Sequence, residues 1–264
     1  MNSTPKHPIG IFDSGIGGTS IWKEINTQLP NENTIYLADS KNAPYGQKSE
    51  EKILELSIKN TELLLEKNCK AIVVACNTAT TNAIKHLREN YNIPFIGIEP
   101  AIKPASINTK TKNIGILATK GTLNSSLFTN TSKEINQEVT IIEQIGEGLV
   151  ELIENGQLFS KEMTLLLMNH LQKLTQHNID YLVLGCTHYP YLIPQIKALI
   201  GNEIKIIDSG LAVAKQTERV LEKNLILNTE KGKSKHLFYT NTTTEVLATV
   251  LKNNQNCVLE KLSF

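Results

Sequence analysis

Short apolar runs rich in β-branched residues alternate along the chain with amphipathic stretches of helical period, and this alternation leaves few folds open. The strand-like runs are Ile9–Phe12, Thr34–Ala38, Ala71–Ala75, Phe95–Ile98, Ile114–Ala118, Val139–Gln144, Tyr181–Leu184, Ile204–Ile207 and His236–Tyr239, with a short terminal strand expected around Val258. Between them, Ser20–Leu29 places Ile21, Ile25 and Leu29 on one face. Glu50–Lys67 does the same with Ile53, Leu56, Leu63 and Leu64, behind an N-cap at Ser49. Lys161–His177, Leu211–Lys223 and Thr244–Lys252 are further expected helices. Apolar strands separated by helices are those of a parallel sheet covered on both faces, which predicts an α/β chain.

Two segments recur. Ile9-Gly10-Ile11-Phe12 is echoed by Ile114-Gly115-Ile116-Leu117, and Ala71–Thr78 by Tyr181–His188, at offsets of about 105 and 110 residues. Each copy of the second segment puts a cysteine just past an apolar strand. Similar offsets suggest two related halves, although buried strands resemble one another by composition alone. The expected architecture is two pseudo-symmetric, doubly wound lobes of parallel sheet flanked by helices, with the active site in the crevice between them. Residues 1–98 with 208–264 would form the first lobe and 99–207 the second. Pro100 and Pro104, within Glu99–Ser106, mark the expected crossover.

Composition narrows the function classes. Among 264 residues, 27 Lys and Arg face 26 Asp and Glu, so no excess of positive charge points to nucleic acid or a membrane surface. No apolar run approaches the ~20 residues needed to span a bilayer. The polar start, Met1 to Pro8, has no signal-peptide core, so a soluble cytoplasmic protein is expected. The four cysteines, Cys69, Cys76, Cys186 and Cys257, form no CxxC pair and have no histidine at zinc-site spacing.

Three segments carry polar chemistry at strand ends. Phe12-Asp13-Ser14-Gly15-Ile16-Gly17-Gly18-Thr19 is a glycine-rich turn before a helix, able to offer N–H groups to an anion. It matches neither the Walker loop nor the GxGxxG fingerprint. The plainer reading is a turn with Asp13 as a cap. Ala75-Cys76-Asn77-Thr78-Ala79-Thr80 puts a thiol where a helix N-terminus lowers its pKa. Gly185-Cys186-Thr187-His188-Tyr189-Pro190 adds a histidine two residues from the second thiol. Alone, either cysteine reads as a small buried hydrophobe. Together they suggest one thiol on each side of a substrate. Inverting a stereocentre by proton transfer needs a base on one face and an acid on the other, and two tuned thiols meet that need.

The run IGIFDSGIGG, Ala43–Gly46 (APYG), Val74–Thr80 (VACNTAT) and Leu184–Pro190 (LGCTHYP) together resemble glutamate racemases, cofactor-independent members of the aspartate/glutamate racemase superfamily that make D-glutamate for bacterial cell walls. The motifs fall in the family's order from Ile9 to Pro190. The resemblance implies that Cys76 and Cys186 are the two acid/base thiols, the first serving D-glutamate as base and the second L-glutamate. It implies that Asp13 assists Cys76 and His188 assists Cys186. Asp13, Ser14, Tyr45, Gly46, Asn77, Thr78, Thr187 and His188 would hold the substrate's ammonium and carboxylates, with Thr122 or Thr119 near a carboxylate. Glu154 matches a further family carboxylate, although Ile145-Gly146-Glu147-Gly148 replaces the Cys-Pro that precedes that helix in many members. The implied partners are a small-molecule substrate and a second copy of the chain, with no cofactor, metal, nucleic acid or membrane.

Other readings are a Cys186–His188 single-thiol hydrolase or transferase, a two-lobed amino-acid binding protein, and an aspartate racemase. Elsewhere, Cys69 and Cys257 read as structural, and His7, His86, His170, His177 and His236 as surface residues. Asp208-Ser209-Gly210 reads as a helix N-cap, and Trp22 as core or a lobe contact.

Overall fold

The computed structural model describes residues 4–135, 138–252, 254 and 256–264. The first half runs β1 (Ile9–Asp13), α1 (Thr19–Gln28), β2 (Thr34–Ala38), α2 (Glu50–Glu66), β3 (Ala71–Val74), α3 (Asn77–Asn90) and β4 (Phe95–Gly97). After α4 (Ile102–Asn108), a second series follows: β5 (Asn113–Ala118), α5 (Lys120–Leu123), α6 (Ser126–Lys133), β6 (Thr140–Ile145), α7 (Leu149–Glu154), α8 (Lys161–Thr175), β7 (Tyr181–Gly185), α9 (Ile193–Ile200) and β8 (Lys205–Ile207). The chain ends with α10 (Gly210–Lys223), β9 (His236–Thr240), α11 (Glu245–Leu251) and β10 (Cys257–Lys261).

Two parallel sheets result, ordered β10-β9-β2-β1-β3-β4 and β6-β5-β7-β8. The order β2-β1-β3-β4 therefore recurs as β6-β5-β7-β8, with the two echoed strand pairs, β1 with β3 and β5 with β7, in the middle of that shared four-strand order. No helix among the described residues is long and apolar enough to cross a membrane.

Strand alternation sorts the side chains between layers. Ile9 and Ile11 of β1 point into one apolar core and Phe12 into another on the opposite face. The first core is shared: it continues from β1, α1 and β3 into Leu182, Leu184, Tyr189 and the buried face of α8. Trp22 is fully buried there, edge-on to Phe238 at 4.9 Å, with its Nε1 donating to Thr34 Oγ1 at 2.9 Å. The Ser49 hydroxyl caps α2 by accepting from Lys52 N.

Several local expectations change. The crossover holds a helix, α4, with Pro104 in its first turn, where the missing N–H would have no intrahelical acceptor. His170 and His236 are buried rather than on the surface. His170 is bonded to Gln144 and the Glu147 carbonyl, and His236 to Thr34 and Ser234. At the start of α10 it is Asp208 that takes the turn bond, accepting from Gly210 N at 2.7 Å, while Ser209 donates to the Glu99 carbonyl.

An ion pair ties the amino ends of β2 and β3 together. Lys70 Nζ meets Glu32 Oε2 at 2.5 Å, with both side chains at 1% exposure or less. Glu32 Oε1 also accepts from Asn228 N, tying in the segment after α10. Removing one member of such a pair strands the other charge. Glu32→Ala is therefore expected to cost about 3–5 kcal/mol in urea denaturation.

Candidate active site

In parallel α/β sheets the carboxyl ends of the strands form the ligand crevice. Here the ends of β1, β2 and β3 in one sheet face those of β5 and β7 in the other. A narrow cavity lies between them, with about 260 Å³ of empty space when the part open to solvent is counted. Ser14, Tyr45, Gly46, Cys76, Asn77, Thr78, Thr119, Thr122, Cys186, Thr187 and His188 all line it. Asp13 and Glu154 stand one layer behind, each bonded to a lining residue.

The glycine turn does more than present amides. A Cβ on Gly15 would lie 1.9 Å from Glu154 Oε1, and one on Gly17 would lie 2.2 Å from His188 Nδ1. A Cβ on Gly18 would lie 2.7 Å from that of Asp13. The bare loop thus lets two side chains of the other sheet's elements reach the end of β1. Asp13, fully buried, folds back to accept from Gly15 N and Gly18 N, so its capping role and its place in the site coexist. Thr187 Oγ1 donates to its other oxygen at 3.3 Å. Burial pushes the Asp13 carboxyl above its ordinary range, against the opposing pull of His188 and the two amides.

Cys76 is the N-cap of α3, and its Sγ accepts from Ala79 N at 3.4 Å. Burial, and then the Asp13 carboxylate, hold the thiol well above its usual range, so it rests protonated. The Ala79 amide and Ser14 oppose that shift. The helix N-terminus does not lower this thiol's pKa, because desolvation and a neighbouring anion outweigh it.

Cys186 follows β7, with its Sγ 3.8 Å from His188 Nδ1. His188 Nε2 meets Glu154 Oε1 at 2.5 Å, a shorter contact than the 3.3 Å to Gly17 N. Burial alone would lower the imidazole pKa, but the bonds to Cys186 and Glu154 raise it well above the ordinary value. The ring is then an imidazolium donating to a thiol on one side and a carboxylate on the other. The two cysteines therefore sit in opposite surroundings, Cys76 beside an anion and Cys186 beside a cation.

The remaining polar groups suit a small ligand with carboxylates. The hydroxyls of Thr78, Thr119 and Thr122 meet one another at 2.9–3.3 Å, gathering three donors from α3, the β5–α5 turn and α5. Both amide atoms of Asn77 are buried with no protein partner. An unmatched buried amide costs about 1–3 kcal/mol, which a ligand offering a donor and an acceptor would offset. Tyr45 lines the cavity, with its hydroxyl turned away to donate to Asp39 Oδ2 at 2.5 Å and accept from Asn60 at 3.0 Å.

Sequence reasoning missed Asp39, Ser40, Asn60 and Asn241, which support the site from behind. Asp39 and Ser40 follow the end of β2, so the strand-end rule that found the two thiols applied to them as well.

The chain matches a family model described as Asp/Glu/Hydantoin racemase over residues 9–217. It belongs to that family and is an amino-acid racemase-type isomerase. Within it, the chain is 44% identical over 228 residues to a glutamate racemase from Ectopseudomonas mendocina, covering 86% of this chain and 87% of the relative. Its fold superposes on the glutamate racemase isoform RacE1 of Bacillus anthracis with a TM-score of 0.87, 31% identity and 98% of each chain covered. It also superposes on the Francisella tularensis glutamate racemase, solved in complex with D-glutamate, with a TM-score of 0.83, 30% identity and 98% of each chain covered.

The Gly15 contact supplies a test. Gly15→Ala is expected to lower kcat/KM by about 100-fold or more while the chain stays folded, because the methyl group displaces Glu154 and with it His188. Steady-state kinetics with circular dichroism would check this.

Proposed function

We propose that the chain interconverts L- and D-glutamate by proton transfer between Cys76 and Cys186. The observation that supports this most is that the two buried thiols line one small cavity from opposite sheets. With L-glutamate, the Cys186 thiolate takes the α-proton: the C–H bond breaks and an S–H bond forms. The Cys76 thiol then protonates the opposite face of the carbanion and is left as thiolate. With D-glutamate the roles exchange.

The surroundings of each thiol fit these roles. The imidazolium of His188 stabilises a thiolate at Cys186 and, in the reverse direction, supports reprotonation there. Asp13 favours the protonated state of Cys76, the acid needed for L-glutamate. With D-glutamate bound, Asp13 is the group placed to accept the proton Cys76 must lose. Ser14, Asn77, Thr78, Thr122, Thr187 and the backbone at Tyr45 and Gly46 would hold the ammonium and carboxylates. Excluding water strengthens each of these interactions.

In this reading residues 1–98 with 208–264 form one lobe and 99–207 the other, with the substrate held between them. The enzyme works as a homodimer in the cytoplasm, needs no cofactor and supplies D-glutamate for peptidoglycan.

The test is proton NMR of L-glutamate and L-aspartate together in D2O with the purified protein. Loss of the glutamate α-proton signal alone is expected, abolished by Cys76→Ala and by Cys186→Ala. Loss from aspartate instead would reassign the substrate, since one methylene is worth only ~1–3 kcal/mol in binding. Activity that survives Cys76→Ala would point to single-thiol chemistry.

A further inference from the structure

Glu154 lies on α7, in the second half, yet most of its hydrogen-bond partners come from the first. Oε1 accepts from Ile16 N in the glycine turn at 2.7 Å and meets His188 at 2.5 Å. Oε2 accepts from Ser40 Oγ at 2.7 Å. Ser40 is not among the residues that line the cavity. Its backbone is held in place by Asp39, whose N–H donates to the Asp13 carbonyl at 3.1 Å. The Asp39 carboxylate accepts from Asn42, Tyr45 and Asn241, which leaves the turn after β2 little freedom.

We propose that Ser40 is a positioning residue for one of the two thiols. Its hydroxyl clamps Glu154 so that Glu154 orients His188 beside Cys186, and it does nothing for Cys76. The proposal rests on the two-thiol reading above. A carboxylate held by donors on both oxygens presents one lone pair to the imidazole in a fixed direction. Without the hydroxyl, Oε2 loses its donor and the carboxylate can rotate away from His188. The Cys186 step then slows, while Asp13, Ser14 and the Ala79 amide around Cys76 are untouched.

Steady-state rates alone cannot reveal this asymmetry. The substrates are mirror images with an equilibrium constant of unity, so kcat/KM must fall equally in both directions. Isotope effects do distinguish the two steps. The α-C–H bond of L-glutamate breaks at Cys186 and that of D-glutamate at Cys76. Slowing the Cys186 step makes it rate-limiting in both directions.

The experiment measures kcat/KM for L- and D-glutamate, each with α-hydrogen or α-deuterium, in the unmodified enzyme and in Ser40→Ala. The expected result is a fall of about tenfold in kcat/KM in both directions, the scale of one lost hydrogen bond to a charged group. The deuterium effect on L-glutamate rises while that on D-glutamate falls toward one. Ser40→Thr, which keeps the hydroxyl, restores both, and its isostere Ser40→Val does not. That pair carries the same comparison if Ser40→Ala does not fold. In a Glu154→Gln background Ser40→Ala has no further effect, as a residue acting through Glu154 requires. Slower turnover with both isotope effects unchanged, or shifted the opposite way, would overturn the proposal and leave the two-thiol reading standing. An unmodified enzyme that exchanges neither glutamate enantiomer would overturn that reading itself.

Discussion

The site depends on a stretch of backbone with almost no side chains. At Gly15 and Gly17 the main chain passes so close to Glu154 and His188 that a single methyl group would collide with either. Because nothing intervenes, Ile16 N can bond Glu154 directly and Asp13 can sit within reach of Thr187. A glycine-rich turn after a first β-strand usually brings backbone close to a ligand. In this chain it brings one half of the protein close to the other, and the cavity is what remains between them.

The same closeness sets the electrostatics. Asp13, Glu154 and His188 share one cluster with two thiols, and the charges of Asp13, Cys76 and His188 depend on their neighbours there. The cluster is not symmetric, although the sheet orders that carry it are. At the end of β3 a carboxylate faces the thiol, and at the end of β7 an imidazolium does. Two related sheets thus hold two thiols in unlike surroundings across one small cavity.

Much of this was legible in the residues. Strand positions followed from apolar runs, and the echoed Cys76 and Cys186 segments did land at equivalent strands, β3 and β7. What sequence could not supply was contact across the cleft. Ser40 and Glu154 are 114 positions apart, and nothing local to either signals the other. The tie between Tyr45 and Asp39 was equally hidden, because a tyrosine beside a substrate loop gives no sign of which way its hydroxyl points. His170 and His236 read as surface residues because a polar ring in a helix or strand is usually exposed. Each is buried because local partners satisfy its nitrogens. The α4 helix escaped notice because proline argues against helix everywhere except the first turn.

The continuous apolar core has a consequence for turnover. It runs beneath the cavity from α1 and β3 to β7 and α8, so the two halves share a floor as well as a mouth. Cys76 and Cys186 are only 5% and 7% exposed. Opening the cleft would break the bonds that cross it, among them those from Ile16 and Ser40 to Glu154, while the apolar packing shared by the two sheets could stay intact.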